Sequence, residues 1–399
     1  MATALEIVFW VAAGLVLWTQ VGYFLALAAA ARVRRRLRTE PAQSLNDPYP
    51  TPSPSPSPSL PSVSLVIAAH NEQSVIAEKL GNALALDYPE ELLEIVVACD
   101  GCSDRTAERA RAAGASTVLE LPRGGKIRAQ DAAVERSQAE IVAFSDANSL
   151  WEPAALRTLI GAFADPAIGY ACGEVSFRQA ASGHAATNQE GAYWRYEMAL
   201  RKLESELCSI TAGNGAIYAV RRSDYVVVDP VMGHDLSLPF NMVKRARRAV
   251  YVPAAKAAEK MVPSIEGEQA RKRRMMAHTW AIVFRGGMLS PAGYGPLYLT
   301  MIVSHRLLRY LTPFLHLIAL AANVALIAVG AGSLQALYIA TLALQGAVLL
   351  AALAGRSLRW RGLLLARYYV LNTAALATGL WDWLRHGVAA SWEAAEGTR

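Results

Sequence analysis

The chain has little cysteine and little charge. It has four cysteines in 399 residues, and 18% of its residues are Asp, Glu, Lys or Arg, against 53% of hydrophobic types. All four cysteines lie in the domain that we predict below to be cytosolic, which argues against a disulphide framework. Cys99 and Cys102 form a C-x-x-C pair, but two further ligands at zinc-finger spacing are missing. We interpret both as small residues that fill a corner between a strand and a loop.

Long apolar segments occur at both ends of the chain. Residues 5–31 include one early Glu and no Lys or Arg, and they are long enough to cross a hydrocarbon core about 30 Å thick. The segment lacks the basic start of a signal peptide and exceeds its usual apolar length, so we predict a retained anchor. Residues 313–332 and 336–355 predict two more spans. A third stretch, 363–384, carries charged residues and would span, lie in the interface or line a polar cavity.

The charge pattern predicts how the chain is oriented. Five arginines between positions 32 and 38 follow the first apolar segment, and the positive-inside rule places the next domain in the cytosol, with the chain in the plasma membrane. A net charge of +6 also fits nucleic-acid binding, but these arginines lie at a membrane exit, so we expect membrane lipids and no nucleic acid as partner. A Pro-Ser tract within 41–62 predicts an extended spacer.

The segments together predict five regions. Residues 297–311 mix apolar and basic side chains and predict an interfacial helix, and Trp381, Trp383 and Trp392 suit the aromatic belt of a membrane. The predicted regions are an anchor at 1–31, a basic stop and linker at 32–62, a cytosolic domain at 63–285, interfacial helices at 286–312 and a membrane region of two or three spans at 313–399.

Short β-branched runs alternate with helical segments after residue 62. Strands are predicted at 63–69, 94–99, 117–121 and 140–144, each followed by a helix. This alternation predicts an α/β domain with a doubly wound, mostly parallel sheet. Ligands of such sheets bind beyond the carboxyl ends of the strands, so the polar residues at those ends are the candidate site.

Polar residues follow the first two predicted strands. The first strand ends in Ala69-His-Asn71-Glu72 and the second in Asp100-Gly-Cys-Ser-Asp104. A carboxylate at a strand end can accept hydrogen bonds from a base or a ribose, and the glycine lets the backbone turn close to a ligand. Helix capping is the simpler explanation for Asp104, but it leaves Asp100 unexplained.

Two further motifs suit a diphosphate and a cation. Gly124-Gly125-Lys126 precedes a helix, where free N–H groups and an ammonium could meet a diphosphate, although a glycine turn with a solvated lysine is common. Asp146 and Asn148 follow the fourth strand and could present two oxygens to Mg²⁺ or Mn²⁺, although this spacing is also frequent in turns.

The ordered series of motifs closely resembles the inverting family 2 glycosyltransferases with a GT-A fold. The likeness covers residues 63–274 and is strongest to the membrane-integrated relatives of cellulose, hyaluronan and poly-N-acetylglucosamine synthases. Asn148 replaces the second carboxylate of the family's D-x-D motif, so a metal should be held less tightly unless phosphates compensate. The resemblance implies a nucleotide-sugar donor bound by Ala69, Asn71, Glu72, Asp100, Lys126 and Asp146, with Asp146 and Asn148 as metal ligands.

The resemblance also implies an acceptor side and a general base. Gly213-Asn214-Gly215 resembles the family's glycine-rich segment where the acceptor approaches, although a bulged core strand would give the same pattern. Gly233-His234-Asp235 looks like the motif whose Asp deprotonates the acceptor hydroxyl. His234 would contact the acceptor, tune the base or only begin a helix.

A basic cluster resembles a degenerate form of the family's Q-x-x-R-W motif. Arg271 stands in the Gln place and Arg274 in the Arg place, where arginines suit a leaving diphosphate. Met275 replaces the Trp that helps to hold the acceptor sugar, which weakens the case for processive polymerisation. For Lys272 and Arg273, a basic face against anionic headgroups is the competing interpretation.

We therefore expect an enzyme that moves a sugar from a nucleotide-diphospho-sugar, with UDP as the expected nucleotide, to a membrane-delivered glycan or lipid. A processive polysaccharide synthase and a single-sugar lipid glycosyltransferase remain open. A non-catalytic membrane scaffold that binds nucleotide is the alternative from another class, whereas a transporter would have little room for a midplane site. The sequence does not fix the oligomeric state.

Overall fold

The computed structural model describes residues 2–37, 60–178, 186–260, 265–330, 332–358 and 360–390. The predicted Pro-Ser spacer lies outside these residues, as does Trp392. The first described residues form two collinear helices, α1 (Ala2–Leu17) and α2 (Tyr23–Leu37), which are joined by a π-helical turn at Trp18–Gly22. Together they form one apolar helix of 36 residues, so the predicted anchor continues six residues past position 31 and takes in the first arginines.

The α/β domain follows the predicted alternation closely. All four predicted strands and the helices after them are present within a few residues of the expected bounds. In chain order the elements are β1 (Val63–Ala69), α3 (Ile76–Leu84), β2 (Leu93–Asp100), α4 (Thr106–Ala112), β3 (Thr117–Leu121), α5 (Lys126–Arg136), β4 (Ile141–Asp146), β5 (Leu150–Trp151), α6 (Ala155–Gly161), β6 (Ile168–Arg178), α7 (Ala186–Leu207), β7 (Ile217–Arg221), α8 (His234–Lys244), β8 (Arg248–Lys260) and α9 (Ile265–Arg285).

The strands form one mixed sheet. Within the described residues the order is β3-β2-β1-β4-β7-β6-β8-β5. The first four of these strands are mutually parallel, as the alternation predicts. β7 runs antiparallel to both β4 and β6, β5 runs antiparallel to β8, and β6 pairs with β8 in parallel across two register shifts. The parallel half aligns its carboxyl ends along one edge, and this edge carries the candidate site.

Alternating side chains of the strands build a core on each face of the sheet. Leu65 and Ile67 of β1 face one core, which is closed by α3, α4 and α6. Val66 faces the other core, which is closed by α5, α7 and α8. Both faces are therefore buried, which explains why the strand sequences are continuous apolar runs and not alternating ones.

Four further helices follow in the described residues, namely α10 (Pro296–Met301), α11 (Leu308–Val329), α12 (Gln335–Ala354) and α13 (Arg361–His386). A third apolar core joins three of them, α10, α11 and α13, to the α/β domain. Tyr23, Phe240, Trp280, Tyr298 and Tyr310 are all buried in this core. The domain and these apolar helices thus share one packed interface, across which the helices hold a fixed place relative to the site.

Four helical segments are long and apolar enough to cross a membrane by length and composition. They are 2–37, 296–329, 332–354 and 361–386, which include the anchor and all three C-terminal stretches indicated by the sequence. One detail differs from the prediction. Residues 297–311 do not form a helix of their own, because α10 continues through a π-helical turn at Ile302–Leu307 directly into α11. The segment predicted to be interfacial is thus the first part of one long helix.

The aromatic residues near the end of α13 divide between surface and interface. Trp381 is exposed, as the aromatic-belt interpretation requires. Trp383 instead stacks on Phe284 of α9, with ring centroids 5.3 Å apart, and the Arg285 guanidinium lies over its ring. Trp383 therefore packs α13 against α9.

Candidate active site

Asp100 closes the end of β2 and organises the glycine turn before α5. Its side chain is buried, and its carboxylate accepts hydrogen bonds from the backbone N–H of Gly124 at 2.6 Å and of Gly125 at 3.0 Å. Arg123 completes the arrangement with a 3.2 Å ion pair. The N–H groups of Gly124 and Gly125, which we predicted would bind a diphosphate, thus donate to Asp100 instead. The Asp100 carboxylate fixes the conformation of this turn.

Lys126 and Asp146 form an ion pair at the centre of the site. Lys126 is the first residue of α5 and Asp146 the last of β4, and the ammonium donates to Asp146 Oδ1. Burial lowers the pKa of Lys126, but the Asp146 charge and hydrogen bond outweigh it, so the net shift is upward. Both side chains remain partly exposed, at 24% and 27%. The pair is therefore within reach of a ligand from solution.

Asp235 lies on the other side of Lys126, near the start of α8. Its charge also raises the pKa of Lys126. Its backbone oxygen accepts a 2.6 Å hydrogen bond from the N–H of Gly213. Gly215 flanks the same ammonium, since a Cβ added there would lie 3.8 Å from Lys126 Nζ. Asp100, Asp146 and Asp235, which are far apart in sequence, thus converge around Gly125 and Lys126.

Two charged residues that the sequence analysis did not select belong to the same cluster. Lys79 of α3 is fully buried and donates to the carbonyl of Ser149 at 2.7 Å. Burial lowers its pKa to about 7, partly offset by the Asp146 and Glu259 charges. Burial and the Asp146 charge raise the pKa of Glu259 on β8, against the opposing charges of Lys126, Arg271 and Lys79. The sequence contains one sign that Lys79 is special, because this charged residue falls on the apolar face of α3 beside Ile76 and Leu80.

His234, which we predicted on the acceptor side, has its side chain directed into the core of the domain, so a contact with the acceptor stays a prediction. The ring is buried, with Nδ1 2.8 Å from the Tyr218 hydroxyl and Nε2 3.2 Å from the Tyr225 hydroxyl. Burial and the Lys126 charge lower the pKa of His234 to about 3, so the ring is neutral at physiological pH. Both ring nitrogens are engaged in the core, and His234 supports the start of α8.

The glycine-rich segment before β7 is packed closely against the sheet. A Cβ on Gly213 would lie 2.8 Å from Cζ of Tyr170, so no larger residue fits there. The buried Asn214 side chain donates to the Gly173 carbonyl and accepts from Arg201. The Asn214 side chain therefore holds this segment in place. Only the backbone of the segment, and not this side chain, is left to contact an acceptor.

The residues after β1 shape the loops that flank Asp100. Asn71 has a positive φ of 53°, and its Oδ1 accepts the N–H of Ser103 at 2.8 Å. The backbone N–H of the buried Glu72 donates to Thr106 at 2.8 Å. Ala69 is buried, and its carbonyl lies 3.5 Å from the Cys102 sulphur. All four cysteines are free thiols, and Cys102 fills the strand-to-loop corner as we predicted.

The basic cluster on α9 has divided roles. The Arg271 charge lowers the pKa of the Glu259 carboxyl, and its role toward a diphosphate stays a prediction. Arg274 is exposed one helical turn further on, so its place in the site stays a prediction. Lys272 donates to the Tyr368 hydroxyl at 2.7 Å, and Arg273 forms a two-point ion pair with Asp382 at 2.5 and 2.6 Å. These two residues therefore attach α9 to α13.

The end of the described chain reaches the glycine turn. Gly125 has a φ of +97° and a ψ of 161°, and a Cβ added to it would lie 2.7 Å from the carbonyl carbon of Ala390. The segment after α13 thus crosses the turn that Asp100 organises. Only glycine combines this backbone conformation with so close a contact.

We expect Gly125→Ala to disrupt this turn. The substitution adds about 1–3 kcal/mol of backbone strain and a collision with Ala390, so the KM for the sugar donor should rise several-fold. Gly81→Ala is the matched control, because Gly81 lies inside α3 with open space around it, where alanine is favoured over glycine by up to about 1 kcal/mol. An unchanged donor KM in Gly125→Ala would contradict the role given to this turn.

Comparison with known proteins places the domain in a family. The family model described as "Glycosyltransferase like family 2" matches residues 61–279, more than half of the chain. An N-acetylglucosaminyltransferase of Mesorhizobium japonicum is 26% identical over 249 residues, 58% of this chain and 58% of that relative. A beta-monoglucosyldiacylglycerol synthase of Synechocystis sp. is 29% identical over 174 residues, 39% of this chain and 33% of that relative. The chain thus aligns with less than two thirds of the length of either relative.

A solved structure has the same architecture. The mannosyltransferase from Pyrobaculum calidifontis, determined in complex with GDP-Man and Mn²⁺, superposes with a TM-score of 0.64 at 21% identity. The superposition covers 93% of this chain and 98% of that one, so the likeness in fold extends beyond the α/β domain to the apolar helices. With the family match over residues 61–279, it follows that this protein belongs to glycosyltransferase family 2, with the GT-A fold and four described helices long and apolar enough to cross a membrane.

Proposed function

We propose that the protein transfers a sugar from a nucleotide-diphospho-sugar, with UDP as the first nucleotide to test, to a hydroxyl of a glycan or lipid delivered at the bilayer. The observation that carries this proposal is the convergence of Asp100, Asp146 and Asp235 around Gly125 and Lys126. This convergence supports donor recognition at the carboxyl ends of β2 and β4, and an acceptor-side base at the start of α8.

The proposed reaction is a single displacement with inversion. Asp235 takes the proton from the acceptor hydroxyl as its oxygen forms the new bond to the anomeric carbon. The bond from that carbon to the diphosphate breaks, and the leaving group departs with the electron pair. Lys126 and Arg271 supply positive charge where the leaving group gains negative charge. In this proposal Asp100 holds the Gly124–Gly125 turn beside the donor and accepts from the nucleoside.

A divalent cation fits this donor site. Asp146 and Asn148 are both partly exposed and offer oxygens, and the Lys126 ammonium already occupies one Asp146 oxygen as a cation would. Within the described residues no group of three or more His, Cys, Asp or Glu could hold a metal, so phosphates and waters would complete the ligand set. When bound, Mg²⁺ or Mn²⁺ would neutralise charge on the diphosphate.

The site is proposed to face the cytosol from the plasma membrane. Support comes from the basic end of the first apolar helix, where Arg34 donates to the carbonyls of Glu206 and Leu207 at 2.6 Å and Arg35 pairs with Glu206 at 2.6 Å. The positive charge thus lies against α7 of the α/β domain, at the end of the helix that the positive-inside rule assigns to the cytosol.

The test is turnover of defined donors by the full-length protein in lipid nanodiscs. A panel of UDP- and GDP-sugars is incubated with Mn²⁺ or Mg²⁺ and extracted membrane lipids, and nucleoside diphosphate release and glycosylated product are measured. We expect one donor to be consumed, with activity lost after chelation of the cation. Tight donor binding without turnover would instead indicate a non-catalytic scaffold, and product length distinguishes a processive synthase from a single-sugar transferase.

A further inference from the structure

A buried polar cluster lies where the apolar helices meet the acceptor-side segment before β7. Glu204 of α7 and Thr211 are both fully buried, and His305 is 1% exposed. Burial of a carboxylate is unfavourable unless hydrogen bonds and opposite charge compensate it. Apolar side chains surround the cluster, and other polar contacts, such as the Arg35–Glu206 ion pair, also attach the apolar helices to the domain.

Glu204 connects three separate parts of the chain. Its carboxylate accepts from the Tyr23 hydroxyl of α2 at 2.7 Å and lies 2.7 Å from His305 Nδ1 of the π-helical turn. It also accepts the backbone N–H of Thr211 at 3.0 Å. One side chain thus contacts the N-terminal apolar helix, the first C-terminal one and the acceptor-side segment.

The acceptor-side segment is held from the same direction by two more contacts. Arg306 Nε donates to Thr211 Oγ1 at 2.8 Å, and the Tyr298 hydroxyl donates to the Ile210 carbonyl at 3.1 Å. Two residues further on, the N–H of Gly213 donates to the backbone oxygen of Asp235 at 2.6 Å. The apolar helices are therefore linked by hydrogen bonds to Thr211, through the backbone of residues 211–213 to Gly213, and by a hydrogen bond from Gly213 to the backbone of the proposed base.

We infer that Glu204 and Thr211 are positioning residues that align the acceptor-side segment and, with it, Asp235. The alignment depends on the position of the apolar helices relative to the domain. The inference rests on the proposed function and deepens it, because it states what couples the bilayer to catalysis. Neither residue contacts the donor corner formed by Asp100, so donor binding is independent of them.

Glu206 provides a matched control on the same helix. It also links α7 to α2, through a two-point ion pair with Arg35 at 2.6 and 2.8 Å, but its side chain makes no hydrogen bond or ion pair with residues 209–214. If activity depends only on the attachment of α7 to α2, Glu206→Gln should lose activity as well. A loss of segment alignment would appear only in Glu204→Gln and Thr211→Val, and Thr211→Ser restores the hydroxyl.

The experiment measures donor and acceptor kinetics of the four variants in nanodiscs, once the wild-type donor is known. Glu204→Gln and Thr211→Val should lower kcat/KM for the acceptor by roughly 10- to 100-fold, the scale of a small misplacement of reacting groups. Their donor KM, and their slow hydrolysis of donor without acceptor, should stay at the wild-type level. Thr211→Ser and Glu206→Gln should retain acceptor kinetics within about 3-fold of wild type.

Each outcome decides the inference. Equal losses for donor and acceptor, or the same loss in Glu206→Gln, would show that the cluster only stabilises the fold and would overturn it. If Glu204→Gln fails to fold, the comparison of Thr211→Val with Thr211→Ser decides alone, because that pair differs chiefly in the hydroxyl. A wild-type protein that transfers no sugar would refute the proposed function itself. An active wild type with unaffected variants would instead refute only the inference about Glu204 and Thr211.

Discussion

Replacing Asp235 by Asn should reduce sugar transfer by about 10²- to 10⁴-fold, the usual contribution of a general base. The amide has the same shape and can still contact the acceptor, but it cannot take the proton from the hydroxyl. Donor affinity should change little, because the donor is proposed to lie against Asp100 and Asp146. The measurements are kcat with saturating acceptor and the Kd for the nucleotide.

Asp229→Asn is the control for this substitution. Asp229 is exposed six residues before Asp235, in the turn that leads to α8, and its carboxylate accepts only a local hydrogen bond from Val231 at 3.0 Å. The control variant should transfer sugar at the wild-type rate. A fully active Asp235→Asn protein would show that Asp235 is not the base, and the Glu259 carboxylate would be the next candidate to test.

Replacing Asp146 by Ala should lower transfer by roughly 10²-fold or more. The change removes the carboxylate that pairs with Lys126 and that, in our proposal, binds the cation with Asn148. The dependence of donor binding on Mn²⁺ should therefore weaken together with turnover. Titration of nucleotide binding with and without Mn²⁺ measures this, alongside the rate of product formation.

A surface carboxylate serves as the reference for Asp146→Ala. Asp87 is exposed and pairs with Arg157 at 2.9 Å, away from the site, and such surface pairs contribute at most about 1 kcal/mol to stability. Asp87→Ala should keep both turnover and cation dependence. If Asp146→Ala retained full Mn²⁺-dependent activity, the proposed cation ligands would have to be sought elsewhere.

Sequence reasoning could bring together the residues that we propose for the donor because each of them follows from local structure. Asp100, Lys126 and Asp146 each stand at the end of a strand or at the start of the helix after it. The carboxyl ends of parallel strands lie along one edge, so assigning the strands correctly brings these residues together. Asp235 lies outside the parallel half and was found through its resemblance to a family motif.

The residues that were missed, and the orientation of His234, depend on contacts between distant parts of the chain. Glu259 reaches the site only because β8 pairs with β6, and Glu204 acquires its partners only when α2 and the π-helical turn pack against α7. His234 adjoins the proposed base in sequence, but the first turn of α8 directs its ring into the core between Tyr218 and Tyr225. No local pattern records such arrangements, since tertiary packing determines them.

The contact between Ala390 and Gly125 limits how the polypeptide can be threaded through a bilayer. Arg285 and Ala390 both lie on the α/β domain, so a chain that leaves that side must also return to it. The number of complete crossings between these two residues is therefore even. Among the described residues three long apolar helices lie in that interval, so at least one of them cannot pass from one aqueous face to the other. That helix must begin and finish on a single side of the lipid or stop within it.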